Sequence, residues 1–473
     1  MLTLDPGSSS LASSTPSPGF TPLGVGPVFE SQRIMETLFG PTEERQFAVE
    51  YWGGIIERPP GGGRFTLILR HPAALRHMLL PPSEMSLVRA YLEDHVDIAG
   101  DLEAAASLGD QVATRLHSLP LVLGLMRDAF RLSDDDAGAQ RQTPRTRMAR
   151  GLLRFGRAHA AKRDAEAVRF HYDLGNDFYA LWLDQRMVYS CGYFPRGDEP
   201  LDVGQEAKLD YVCSKLRLRP GERFLDIGCG WGALVVHAAR HYGVQALGIT
   251  LSEAQARFAR ELVRRSQLEG KVAIEVRDYR TLCAPEEAER FDKIASVGMV
   301  EHVGRRRLDD YFAAACHALK PGGLFLNHGI VSIARARPRR MVDRLAGMLW
   351  GRGRFIGEYV FPDGELLPAG VVVGAAERNG LELRDVESLR EHYVTTLRHW
   401  LERLEAGSEA VRAVVGEGTY RVWRLYMAAS AHGFETGRIG VIQSLLTRPG
   451  TDGRVRLPRT RADLYVTAPA PGD

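Results

Sequence analysis

FLDIGCGWG, residues Phe224 to Gly232, sets the architecture of this chain. An apolar run containing Asp226 leads into Gly228, Gly230 and Gly232, and ALVVHAARHY continues with helical spacing. Glycines at alternate positions let backbone approach a ligand closely, and the unpaired N–H groups of the following helix face the same point. The spacing is G-x-G-x-G rather than the G-x-G-x-x-G of dinucleotide oxidoreductases, which argues against a nicotinamide. A tight turn with no ligand is the plainer reading of such a loop taken alone.

On either side of the loop, strand-like and helix-like segments alternate at the rhythm of a parallel, doubly wound α/β sheet. RFLDIGC, QALGIT, KVAIEV, FDKIASV and GLFLNHGI read as strands, with helices expected around 231–242, 253–267 and 305–319. Right-handed crossovers then gather the C-terminal ends of the strands on one edge, where a ligand belongs. Two helical stretches at 391–405 and 417–432 precede a last apolar run, IGVIQSLL, within a larger domain expected over 166–447. Residues 448–473 read as a loose tail, and 1–27, rich in Ser, Pro and Gly, as a disordered leader. Residues 28–125 read as a smaller N-terminal α+β domain, with a strand in FTLILRH (65–71) and a helical run in AALRHMLLPP, joined through a basic linker over 126–165.

At 473 residues, 44% hydrophobic and 25% charged, the chain has globular composition and material for two cores. A formal net charge of +2 gives no argument for nucleic acid. Cys191, Cys213, Cys229, Cys283 and Cys316 are widely spaced, without a C-x-x-C pair or zinc-ligand spacing, which fits a reduced cytoplasmic protein and no metal. The N-terminus lacks a basic and an apolar signal region, and no run of 18 apolar residues occurs, so neither export nor a membrane span is expected.

RFHYDLGNDFYALWLD, MVYSCGYF, GITLSEAQ, SVGMVEHVG, FLNHGI, YVFPDGELLP and HYVTTLRHW follow one another from about residue 168 to 445. In order and content they resemble the motif set of cyclopropane fatty acid synthases and mycolic acid methyltransferases. The resemblance implies a Rossmann-like class I S-adenosylmethionine-dependent methyltransferase. Residues 28–125 are similar, less distinctively, to the N-terminal, lipid-binding domain of the longer bacterial synthases. The class more often carries Asp or Glu at the end of its second strand, but GITLS with Thr250 belongs to this family's pattern.

By that resemblance Tyr189, Ser190, Asp226, Gly228, Gly230, Gly232, Thr250, Ser252, Gln255, Tyr279 and Arg280 surround S-adenosylmethionine. Aromatic faces suit a sulfonium, which they attract without offering a competing nucleophile. The family also holds a bicarbonate ion beside the reactive methyl, and Cys191, Glu301, His328, Ile330 and Tyr393 stand at the matching positions. Gly329, where the family more usually has Thr, is expected to do little harm. Singly, a core cysteine or a strand histidine is more often structural.

The implied reaction adds a methyl group to the double bond of an unsaturated acyl chain in a membrane phospholipid, and the resulting cation closes to a ring when a proton leaves the new methyl. Relatives that lose a different proton give methyl or methylene branches. A small-molecule methyltransferase and a non-catalytic lipid-binding protein are the remaining readings, and the second predicts erosion of motifs that are intact here.

Such a substrate requires docking at an anionic bilayer. Residues 141–163 contain eight Lys or Arg and no carboxylate, and RARPRRMVDRLAGMLWGRGR (335–354) contains seven Arg with Met341, Leu345, Met348, Leu349 and Trp350 at helical spacing. Each basic residue at a bilayer adds on the order of 1 kcal/mol. A solvated linker and an ordinary surface helix are the bland alternatives. A homodimer, attached peripherally to the inner face of the membrane, is implied by resemblance only.

Overall fold

The computed structural model describes residues 25–115, 118–132, 174–333, 353–362, 364–455 and 457–464. Residues 1–24 of the leader, 133–165 of the basic linker and nearly all of the 335–354 segment lie outside the described residues, whereas 25–27 belong to the first helix and 126–131 to the helix Leu119–Arg131.

The N-terminal domain opens with α1 (Val25–Phe39), followed by β1 (Phe47–Tyr51), β2 (Ile55–Glu57) and β3 (Phe65–Leu69). Next come α2 (Ala74–Leu79), α3 (Glu84–Leu92), β4 (Val96–Gly100), α4 (Leu102–Arg115) and α5 (Leu119–Arg131). Its sheet has the order β2-β1-β3-β4, with only the β1–β3 pair parallel. Alternation explains β3: Phe65, Leu67 and Leu69 are buried while Thr66 and Ile68 are half-buried. Leu125, Ala129 and Leu132 lie in the same core, so the helical layer runs past residue 125.

The larger domain begins with α6 (Asn176–Ala180) and α7 (Leu201–Leu216). Then follow β5 (Arg223–Ile227), α8 (Ala233–Tyr242), β6 (Gln245–Thr250), α9 (Glu253–Arg265), β7 (Val272–Val276) and β8 (Phe291–Val297). After α10 (Val300–Val303) and α11 (Leu308–Ala318) comes β9 (Leu319–Ser332). The chain ends with α12 (Arg354–Tyr359), α13 (Ala369–Arg378), β10 (Glu382–Ser388), α14 (Arg390–Ala406), α15 (Ser408–Glu435) and β11 (Ile439–Thr447). The sheet order is β10-β11-β9-β8-β5-β6-β7, parallel from β9 to β7 and antiparallel around β11. The order reverses beside β5, which places a crevice beyond the ends of β5, β6 and β8.

Helix α15 breaks at Gly416 (φ 78°, ψ 164°) and then carries side chains that face two ways. Arg421, 5% exposed, reaches the N-terminal domain: its Nε donates to the Tyr91 carbonyl and its Nη2 to that of Val96, each at 2.9 Å. Asp94 and Asp97 flank the same guanidinium at 3.2 and 3.4 Å. Trp423 and Tyr426 belong instead to an aromatic group with Phe178, Tyr179, Trp182, Tyr189 and Trp400. Beyond β11, Arg448 donates to the carbonyls of Cys316 and Leu319, and Arg461 and Asp463 pair with Asp385 and Arg217.

Candidate active site

The β5 strand is buried except at its first residue, with Asp226 set among apolar neighbours, and its turn is tied over β6 because the N–H groups of Gly228 and Cys229 both donate to the Ile249 carbonyl. Gly228 and Gly230 have φ of 85° and 54°, and a Cβ added to Gly230 would meet nothing within 4 Å. The loop therefore faces open space, a cleft of about 1000 Å³ including its solvent-filled mouth.

Of the expected cofactor residues, Tyr189, Ser190, Asp226, Gly228, Gly230, Thr250, Gln255 and Tyr279 line this cleft. Gly232, Ser252 and Arg280 stand behind it. A Cβ on Gly232 would lie 2.9 Å from that of Ala259, so this glycine lets α8 approach α9. Ser252 accepts from the Gln255 N–H at the start of α9, and Arg280 is held by both carboxylate oxygens of Asp278. Thr250 contacts Gln255 Oε1 at 2.9 Å, so the two line one wall as a pair. Lys208, Trp231, Arg277, Met299 and His302 also line the cleft. Trp231, inside the quoted loop, could have been read from it, whereas Lys208 and Arg277 carry no local signal.

Asp226 is buried with Oδ1 lacking a hydrogen-bond partner, and burial raises its carboxyl to about 7, opposed by the Lys208 charge. An orphaned acceptor beside a glycine loop suits the amino-acid end of S-adenosylmethionine.

The second constellation lies where β8 and β9 run side by side. Glu301, in α10 just after β8, accepts at Oε1 from the Ile330 N–H at 2.6 Å, while its buried Oε2 has no hydrogen-bond partner. Burial raises its carboxyl to about 7, with the Ile330 bond acting in opposition. His328, 2% exposed, faces Gln443 across the β9–β11 ladder. Gln443 Nε2 lies 3.1 Å from His328 Nδ1, and Gln443 Oε1 accepts from Lys215 Nζ at 2.8 Å. Lysine has no acceptor, so the amide turns its NH₂ to the ring, and His328 carries its proton on Nε2. Burial, then the charges of Lys208 and Lys215, lowers this imidazole to about 3 and keeps it neutral. Lys215 is anchored in turn by Glu387.

Cys191 Sγ contacts the carbonyls of Gly192 and Leu389, and burial pushes its thiol well above the usual range, which makes it a wall and not a nucleophile. The Leu389 carbonyl also opens the helix that carries Tyr393, whose N–H it accepts. Tyr393 and Cys191 share one apolar cluster, against which Ile330 packs. Among the described residues no group of three or more His, Cys, Asp or Glu could hold a metal ion.

A seven-stranded sheet of this order with a glycine-loop cleft at its switch point defines a class I S-adenosylmethionine-dependent methyltransferase. A model of the family described as mycolic acid cyclopropane synthetase matches residues 159–444. A probable fatty acid methyltransferase of Pseudomonas putida is 40% identical over 400 residues, 85% of this chain and 91% of that one. The cyclopropane-fatty-acyl-phospholipid synthase of Escherichia coli is 37% identical over 290 residues, 61% of this chain and 69% of that one. Among solved structures, a cyclopropane synthase from Mycobacterium tuberculosis superposes with TM-score 0.55 at 34% identity, covering 60% of this chain and 98% of its own. The chain belongs to the mycolic acid cyclopropane synthetase family and is an S-adenosylmethionine-dependent methyltransferase.

Proposed function

We propose that the protein cyclopropanates unsaturated acyl chains of membrane phospholipids, with S-adenosylmethionine as methyl donor and bicarbonate as the base. The family acts on unsaturated lipid acyl chains. The observation that supports the ion is that Glu301 and His328 are both buried and meet the same strand, with the Ile330 N–H donating to Glu301 Oε1 and Oε2 left without a hydrogen-bond partner.

An alkene is a poor nucleophile, so its carbon must be held in line with the sulfonium methyl in a dry pocket. One C–C bond forms as the C–S bond breaks, leaving S-adenosylhomocysteine and a carbocation. Loss of a proton from the new methyl closes the ring. Tyr189, which lines the cleft, is backed by the Trp182, Trp400 and Trp423 rings, and an aromatic wall of this kind would exclude water and stabilise positive charge without trapping it.

The residues present fit a small oxyanion. His328 offers Nε2–H as donor, and Glu301, with its carboxyl raised to about 7, can hold the proton that a carboxyl needs to face an anion. Bicarbonate bound there would supply negative charge beside the cation and accept the departing proton. Cys191, Ile330 and Tyr393 would complete its walls.

The Pseudomonas relative's name favours a second reading, a methyl-branched product from the same cation. Incubation with S-adenosylmethionine and monounsaturated phospholipid vesicles, followed by proton NMR of the released fatty acids, separates the two. An upfield ring methylene supports cyclopropanation, vinylidene or methyl-branch signals support the second reading, and an unmodified chain refutes both.

No helix among the described residues is long and apolar enough to cross a membrane. We further propose that the N-terminal domain and the basic segments dock the protein, as a homodimer, on the cytoplasmic face of an anionic bilayer. A monomer in sedimentation at micromolar concentration would remove the dimer.

A further inference from the structure

Lys208 lies in the middle of α7, 3% exposed, at the wall of the cofactor cleft. A buried ammonium is costly unless it is partnered, and its one hydrogen bond among the described residues runs from Nζ to Ser190 Oγ at 2.9 Å. Gln205, one turn earlier on the same helix, donates to the Ser190 carbonyl at 2.9 Å. Helix α7 thus holds Ser190 at both its main chain and its side chain.

The direction of the Lys208 bond matters. An ammonium can only donate, so it occupies a lone pair of Ser190 Oγ and turns the hydroxyl proton away from itself. Ser190 lines the cleft, and so does Asp226, whose buried Oδ1 is unpartnered. The wall therefore presents a charge-assisted hydroxyl donor and a buried carboxylate acceptor within the electrostatic reach of one lysine. The amino-acid end of S-adenosylmethionine has the matching pair, a carboxylate beside an ammonium.

We propose that Lys208 is the counter-ion of the cofactor's α-carboxylate, acting through Ser190, while Asp226 takes the adjacent α-ammonium. Lys208 is thereby a positioning residue: it fixes the methionyl end and so the direction in which the sulfonium methyl points. The proposal rests on the cleft's being the cofactor site.

The test compares S-adenosylhomocysteine with its decarboxylated analogue, which keeps the ammonium and lacks the carboxylate, by calorimetry on the full-length protein. Wild type should prefer the carboxylated ligand by about tenfold or more, since a hydrogen bond to a charged group contributes roughly that much. Lys208→Met should reduce the preference to about threefold or less by weakening only the carboxylated ligand, and Lys208→Arg should retain most of it. A loss shared equally by both ligands would mark a structural role and overturn the proposal. A wild-type preference below about twofold would overturn it without any variant, should Lys208→Met fail to fold. Failure of wild type to bind S-adenosylhomocysteine at all would instead remove the cofactor reading on which the proposal stands.

Discussion

Gln443 stands directly opposite His328 in the β9–β11 register and donates to its Nδ1, so a residue 115 positions away decides which ring nitrogen carries the proton. Gln443→Leu removes that donor, and Gln443→Glu replaces it with an acceptor that favours a proton on Nδ1. Loss of one buried hydrogen bond costs about 1–3 kcal/mol, so turnover should fall ~10-fold or more. The Kd for S-adenosylmethionine should stay within about twofold of wild type, because neither residue lines the cofactor cleft. Nitrogen NMR of the His328 ring reports the tautomer, and wild-type turnover with a switched tautomer would deny the ring its role.

Glu301→Gln and Tyr393→Phe should each lower turnover on phospholipid vesicles by ~10²–10³, the usual effect of removing an electrostatic group from an active site. Both variants should still bind S-adenosylmethionine. Near wild-type turnover in the pair would dismiss the ion site.

The Glu301 carboxyl is raised by burial from 4.5 to about 7, and this has a consequence for stability. The folded chain holds a proton there that the unfolded chain releases above about 4.5. This contribution is fully present below that pH and is lost as pH rises through about 7. Glu301→Gln removes the titration, so the variant's Tm should exceed that of wild type at pH 8 and approach it at pH 5. Equal Tm differences at the two values would contradict the assignment.

A Cβ on Gly329 would fall 2.2 Å from Val300 Cγ1, so this strand glycine is imposed by its neighbour in α10. Gly329→Ala should destabilise the protein by about 1–3 kcal/mol through overpacking. Val300→Ala in the same chain should recover most of that loss. Denaturant titrations of the two single variants and the double variant read the coupling, and additive effects would refute it.

Arg421→Met strips the Tyr91 and Val96 carbonyls of a donor and leaves Asp94 and Asp97 with Arg70 as their remaining cation. Loss of hydrogen bonds from a charged donor to buried carbonyls costs about 1–3 kcal/mol. Thermal unfolding should show the loss, and an unchanged Tm would mean that the contact contributes little.

The residues legible from the chain were those whose signal is local. Glycine spacing and an apolar run marked the loop from Phe224 to Gly232, and strand pattern put Glu301 just after β8 and His328 in β9. Strand β10 was not legible: Glu382–Ser388 reads ELRDVES, dense in charge, and only its pairing with β11 makes it a strand. Lys208, Lys215 and Gln443 were missed because their partners are set by tertiary contact, and a polar residue in a helix without a clear apolar face, or in an edge-proximal strand, looks like any solvated one. Gly232 and Ser252 show the converse, since a motif names positions that serve helix packing and capping as well as those that face the ligand.

The mycobacterial structure matches only 60% of this chain while using 98% of its own, so the fold exists elsewhere as a free-standing unit. In this chain the same unit is bonded to a second domain. Within α15, Arg421 is bonded into the N-terminal domain and Trp423 and Tyr426 sit among the aromatics around Tyr189. A shortened chain beginning after Leu132 would take away the carbonyls that Arg421 donates to, less than two turns of helix from the aromatic group around Tyr189. The N-terminal domain is therefore part of the enzyme's scaffold, and separating the halves would require rewriting the helix they share.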